Sequence, residues 1–179
     1  MVLEADTLAR TRGHHNTAFC QADVETLPFR NNVCDLITSK LAFHYFPHSQ
    51  VALGEMVRVA TPEARVVLID RVSPEDQEQR AYQNRLEKLR TPSKTYVYSE
   101  SQLVAALADI RLVINAQARY AEHMAVDEWL RAAGVDAETA PTILALLTAP
   151  GDPAGFRVRR EGERLMMTHQ TCVLVARRR

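Results

Sequence analysis

The run Arg65-Val66-Val67-Leu68-Ile69-Asp70 constrains the fold more than any other stretch of the chain. Its apolar residues are consecutive rather than alternating. That pattern suits a strand buried on both faces of a parallel sheet, not one with a solvated side. The run ends in an acid. A second apolar run, Cys34 to Ser39, and a shorter one, Thr17 to Cys20, also stop at polar residues and read as strands.

Between Cys34–Ser39 and Arg65–Asp70 lies a helical pattern. Ser49 is placed to cap it, and Ala52, Leu53, Met56, Val57 and Ala60 share a stripe. Strand, helix, strand in this order implies a right-handed crossover and an α/β fold. Open parallel sheets bind ligands in the crevice at the carboxyl ends of their strands. Asp23 and the segment Ser39–His44 are therefore where function is expected.

Val2 to Arg12 reads as a helix closed by Gly13. Leu27-Pro28-Phe29 is a loop returning apolar side chains to the core, and Asn31-Asn32 is turn chemistry. Pro74 to Arg90 is a charged helix with a narrow stripe of Tyr82, Leu86 and Leu89, expected to lie on the surface as a flap. Ser99 and Gln102 form a capping-box pair ahead of Leu103, Ala106, Leu107 and Ile110. Arg111 to Tyr120 alternates as a strand. Val126 to Ala133 is a helix closed by Gly134, and Asp136 caps another that ends near Leu147. Phe156–Arg160 and Arg164–Ala176 read as strands joined at Glu161-Gly162.

Of the 179 residues 46% are hydrophobic, enough for one domain with its own core. Equal numbers of acids and bases argue against a duplex-binding surface, so nucleic acid is not an expected partner. Arg177-Arg178-Arg179 reads as a solvated tail. No apolar run approaches a membrane span. Cys20, Cys34 and Cys172 fit neither a disulfide framework nor a zinc spacing. Cys20 and Cys34 fall in predicted strands, as small hydrophobes. His14-His15 lacks a third ligand type nearby, so no metal is expected. A cytoplasmic protein follows from these features.

Asp23-Val24-Glu25-Thr26-Leu27-Pro28-Phe29, then Cys34-Asp35-Leu36-Ile37-Thr38-Ser39 and His44-Tyr45-Phe46, resembles the middle of class I S-adenosylmethionine-dependent methyltransferases. The nearest subgroup is the small-molecule type related to ubiquinone and menaquinone biosynthesis. The resemblance implies a Rossmann-like sheet of order 3-2-1-4-5-7-6, mostly parallel with an antiparallel C-terminal strand and flanked by helices. On that map Thr17–Cys20 is similar to strand 3, Cys34–Ser39 to strand 4, Arg65–Asp70 to strand 5, Arg111–Tyr120 to strand 6 and Arg164–Ala176 to strand 7.

The resemblance also implies roles. Asp23 would accept from the adenine amino group of S-adenosylmethionine, and the Val24 N–H would reach a ring nitrogen. Ser39, Lys40 and Leu41 would lie along the sugar and methionine moiety. His44 would stand near the methyl donor as a base. Read from the residues alone, the alternative for Asp23 is a helix or turn cap, and for His44 a packing residue at a helix start. The charged helix, Tyr96, Tyr98 and Trp129 would hold a small-molecule acceptor, although Trp129 is also a natural core residue.

Strands 1 and 2 of the family, with their glycine-rich turn, have no counterpart in residues 1–179, which read as a single truncated methyltransferase-like domain. No Gly-x-Gly occurs. Pro62-Glu63-Ala64 stands where the family often has Pro-Gly-Gly. Strand 4 would then carry a bare edge. Exposed edges recruit partners, so a homodimer through that edge is expected. Two functions follow: methyl transfer to a small molecule, or a non-catalytic relic serving as a dimerising or partner-binding module.

Overall fold

A computed structural model describes residues 2–178. Helix α1 (Val2–Thr11) is followed by an irregular segment that runs to strand β1 (Cys34–Lys40). A 3-10 turn at Phe43–Tyr45 leads to α2 (Ser49–Val59), β2 (Ala60–Val72), α3 (Gln77–Arg90) and α4 (Glu100–Asp109). Then come β3 (Leu112–Ala125), α5 (Val126–Ala132), α6 (Ala140–Leu147), β4 (Arg159–Glu161) and β5 (Arg164–Arg178).

The sheet order is β1-β2-β5-β3, with β4 paired to β5. β1 and β2 are parallel; β5 runs antiparallel to β2, β3 and β4. This is the expected 4-5-7-6 half of the Rossmann-like sheet, with α2 as the crossover between its parallel strands. β5 can occupy its central place because it offers apolar residues to both neighbours, Leu174 opposite Leu68 of β2 and Ala176 opposite Ile114 of β3.

Thr17–Cys20 is not a strand. These residues are exposed and irregular, and Cys20 is an exposed thiol rather than a core hydrophobe. Four residues of suitable composition do not make a strand without a neighbouring edge to bond, and among the described residues none lies beside them. The other boundaries shift modestly. α2 begins after His48, which makes no side-chain cap, and Ser49 Oγ bonds the Tyr98 hydroxyl at 2.8 Å instead of capping. α3 starts after Asp76, whose carboxylate accepts from the Gln79 N–H. Arg177 and Arg178 belong to β5 rather than to a tail, and Arg179 lies outside the described residues. The capping box at Ser99 and Gln102 is present as expected.

Two apolar clusters hold the chain together. One packs α2 and α4 on one sheet face through Leu53, Met56, Leu103 and Leu107 against Val66, Leu68, Cys172 and Leu174. The thiol of Cys172 is pushed up to about 11, chiefly by burial. The other cluster joins Leu86, Trp129, Ile143, Leu147, Phe156 and Met167 beyond the end of β2. α3 is thus anchored rather than a loose flap: Gln83, Leu86 and Glu87 are buried, and the Tyr82 hydroxyl donates to the Leu146 carbonyl.

β2 is fully buried on one face only. Val66, Leu68, Asp70 and Val72 are enclosed, whereas Val67 and Ile69 on the opposite face are half-covered. Leu36, Val113 and Tyr120 are exposed, and among the described residues β1 pairs only with β2.

Candidate functional site

β1 and β2 end side by side. At the exit of β1, Leu41 takes φ +52° while its N–H bonds the Ile69 carbonyl at 2.8 Å. A non-glycine residue in this left-handed region carries strain of about 1 kcal/mol, which the surrounding structure must impose. The chain then turns back through Phe43–Tyr45 and sets His44 beside the end of β2.

Asp70 fixes that histidine. Its Oδ2 accepts the His44 backbone N–H at 3.0 Å, and its Oδ1 lies 2.5 Å from His44 Nδ1. Oδ1 also accepts the Arg71 N–H at 2.7 Å. Both side chains are buried. A carboxylate only accepts, so Nδ1 is the donor, and in the neutral imidazole Nε2 is the acceptor nitrogen. The segment after α3 clamps the turn from outside: the N–H groups of Thr95 and Tyr96 both donate to the His44 carbonyl, and Thr95 Oγ1 donates to the Tyr45 carbonyl.

His44 opens onto a cavity of 190 Å³ lined by Leu41, Tyr45, Arg71, Arg90, Lys94, Met124, Trp129 and His169. β2, α3, β3, α5 and β5, with the segments that follow β1 and α3, supply these groups. The Arg90 guanidinium lies 4.5 Å from the Trp129 ring centre and bonds its carbonyl through Nε and Nη2. Lys94 Nζ pairs with buried Glu87 at 2.7 Å. His169 is held well below the ordinary histidine range, first by burial and then by Arg71, Lys94 and Arg90. It is therefore neutral near pH 7.

The loop bearing Asp23 and Val24 reaches the same end of the sheet. Glu25 accepts the His48 N–H at 3.0 Å, and Glu55 accepts the Leu27 N–H at 2.8 Å. Arg58 binds the carbonyls of Leu27 and Phe29 and holds the Glu55 carboxyl down at about 2. Val24 packs against the sheet cluster that contains Phe43. Asp23 itself is exposed. Its Oδ1 accepts the Glu25 N–H at 2.9 Å, the geometry of a local turn cap. Its Oδ2 and the Val24 N–H make no hydrogen bond among the described residues.

Of the residues proposed from sequence, Leu41 and His44 share the cavity wall, while Asp23, Val24, Ser39 and Lys40 lie outside it. Ser39 Oγ is buried without a hydrogen-bond partner, and Lys40 is exposed. Tyr96 and Tyr98 meet edge-to-face, with Tyr98 against Phe43, and neither lines the cavity. Trp129 is both core and cavity wall. The polar residues Asp70, Arg71, Lys94 and His169 had no assigned role in the sequence, and Arg90 had one only as the end of the charged helix expected to hold the acceptor. Only the acid closing the Arg65–Asp70 run hinted at one of them. No group of three or more His, Cys, Asp or Glu among the described residues is arranged to hold a metal ion, and no described helix is long and apolar enough to cross a membrane.

A family model described as a methyltransferase domain matches residues 1–68. The uncharacterized methyltransferase YcgJ of Bacillus subtilis (strain 168) is 30% identical over 154 residues, which are 86% of this chain and 61% of YcgJ. A ubiquinone/menaquinone biosynthesis C-methyltransferase of Burkholderia vietnamiensis is 42% identical over 48 residues, 27% of this chain and 20% of that protein. The chain thus spans less than two thirds of the curated relatives it matches. The crystal structure of Bacillus subtilis YcgJ superposes with a TM-score of 0.93 at 26% identity, covering all of this chain and 78% of the other. A putative methyltransferase from Bacillus halodurans C-125 shares the fold, with a TM-score of 0.92 at 20% identity over 98% of this chain and 78% of that one.

Proposed function

Because the chain belongs to the class I S-adenosylmethionine-dependent methyltransferases, we propose that it takes part in methyl transfer to a small-molecule acceptor at the ends of β1 and β2. The observation that carries this reading is the buried Asp70–His44 pair opening onto a cavity at the carboxyl ends of two parallel strands.

S-adenosylmethionine, when bound, supplies a methyl group already activated on a sulfonium. The chain's own work is to orient and to manage a proton. Asp23 Oδ2 and the Val24 N–H offer an acceptor and a donor free to pair with the edge of an adenine. Ser39 Oγ offers a buried hydroxyl that lacks a partner, beside Lys40 and Leu41, for the sugar and methionine portion. Asp70 holds His44 in the tautomer whose Nε2 can take a proton from the acceptor. Alignment of nucleophile, methyl carbon and leaving sulfur is the larger demand, and rigid neighbours supply it.

Residues 1–179 form a single methyltransferase-like domain in this reading, bearing the sheet half that starts at family strand 4. The free edge of β1 and the exposed Leu36, Val113 and Tyr120 favour self-association as a homodimer, in the cytoplasm. The same exposed edge supports the second reading, a non-catalytic dimerising or partner-binding module. Light scattering on a chromatographed sample is expected to give twice the chain mass at micromolar concentration; a stable monomer would remove the dimer.

Titration calorimetry with S-adenosylhomocysteine separates the two functions. Saturable binding weakened at least about tenfold by Asp23→Ala is expected, the loss of one charge-assisted hydrogen bond. No heat with folded protein would favour the binding module.

A further inference from the structure

The cavity beside His44 has a one-sided charge. Its wall contains Arg71, Arg90 and Lys94 and no aspartate or glutamate. Lys94 is neutralised by Glu87. Arg90 is not matched in the same way. Its bonds go to the Trp129 carbonyl and the Thr91 hydroxyl, both neutral, while Glu87 Oε2 stands 3.8 Å from Nη1 and is already taken by Lys94.

Arg71 adds further donors to the wall. Its Nη1 is matched by Glu122 Oε2 at 2.5 Å. Its Nε and Nη2 make no hydrogen bond among the described residues. Guanidinium donors that line a cavity without a protein acceptor are available to a bound anion, with which charge-assisted hydrogen bonds are strong. His169 in the same wall is held neutral chiefly by its burial, with Arg71, Lys94 and Arg90 adding positive field.

We propose that the methyl acceptor is a small carboxylic acid whose carboxylate is held in this cavity by Arg71 and Arg90. This deepens the methyl-transfer reading and rests on it. The planar fork of a guanidinium matches a carboxylate on two oxygens, which favours this anion over a point charge. At 190 Å³ the cavity is below the usual size for drug-sized ligands, so it suits a compact acid rather than a long-chain one. With the carboxylate on the arginines, the remainder of the acceptor lies toward His44, where Nε2 is free to take its proton.

The test uses Trp129, the single tryptophan of the chain, which forms part of the cavity wall. Its emission is followed while benzoate or uncharged benzamide is added to the full chain, with and without saturating S-adenosylhomocysteine. Benzoate is expected to bind saturably and benzamide at least about tenfold more weakly, the difference one charge-assisted contact makes. Arg71→Gln is expected to remove most of that preference and Arg71→Lys to restore part of it, with circular dichroism confirming that both variants fold. S-adenosylhomocysteine is expected to leave benzoate binding intact.

Equal binding of benzoate and benzamide, or no saturable benzoate binding to folded protein, overturns the proposal. Competition between benzoate and S-adenosylhomocysteine also overturns it, because the cavity would then receive the cofactor's own carboxylate. Benzoate binding that depends on Arg71 in a chain with no affinity for S-adenosylhomocysteine overturns the methyl-transfer reading instead, and with it the role of the anion as acceptor.

Discussion

Asp70→Ala is expected to cost about 3–5 kcal/mol of folding stability, because each buried donor left without its acceptor costs about 1–3 kcal/mol. Asp70 is 2% exposed and accepts from the His44 side chain, the His44 backbone and the Arg71 backbone. Alanine leaves three donors enclosed without an acceptor. It also releases the turn that carries His44, because the outer clamp from Thr95 and Tyr96 holds only the carbonyl side. Asp70→Asn keeps the shape and one acceptor oxygen but turns an amide toward donors, so an intermediate loss is expected. Urea unfolding followed by circular dichroism measures both variants. A loss below about 1 kcal/mol for the alanine variant would mean that the pair is solvated in solution and does not orient His44.

The second large effect is expected at Phe156. The ring is 1% exposed and packs edge-on against Trp129 and His169, with ring centres 5.8 and 5.0 Å away. Its backbone is fixed on both sides. Asp152 accepts the N–H groups of Phe156 and Arg157, and the Phe156 carbonyl accepts the Thr168 N–H at 2.7 Å. Such a rigid frame cannot collapse around a deletion, so Phe156→Ala is expected to cost about 3–5 kcal/mol. The damage should centre on the cluster beyond β2, where Trp129 and His169 form the cavity wall. Trp129 emission should shift to the red in the folded variant. A loss under about 1 kcal/mol with unchanged emission would show that this cluster is loosely packed.

The two parts of the molecule were unequally legible in the sequence. Val66–Ile69 announced β2 because a continuous aliphatic run has few other uses. Ser99 and Gln102 announced α4 because a capping box is a local device, complete within four residues. Thr17–Cys20 misled because composition reports a willingness to form a strand, whereas a strand also needs a partner edge. Asp70 and His44 lie 26 residues apart, across a crossover helix, and no local signal joins them. Arg71, Arg90, Lys94 and His169 converge from β2, α3, the following loop and β5, so each looked like an ordinary surface or strand residue until the fold brought them together.

The exposed carboxylate at position 23 is the point where sequence resemblance and geometry meet least closely. Its turn geometry satisfies one oxygen locally and leaves the other free. The loop is nevertheless tied down by Glu25, Glu55 and Arg58, so its position at the end of the sheet is set by hydrogen bonds rather than chance.

Amide shift mapping by NMR during an S-adenosylhomocysteine titration addresses the central claim, that one cofactor site is formed by the Asp23 loop together with the exit of β1. Saturable shifts concentrated at residues 23–26 and 39–45 are predicted. Shifts confined to other surfaces, or a spectrum unchanged at millimolar ligand, would contradict the account.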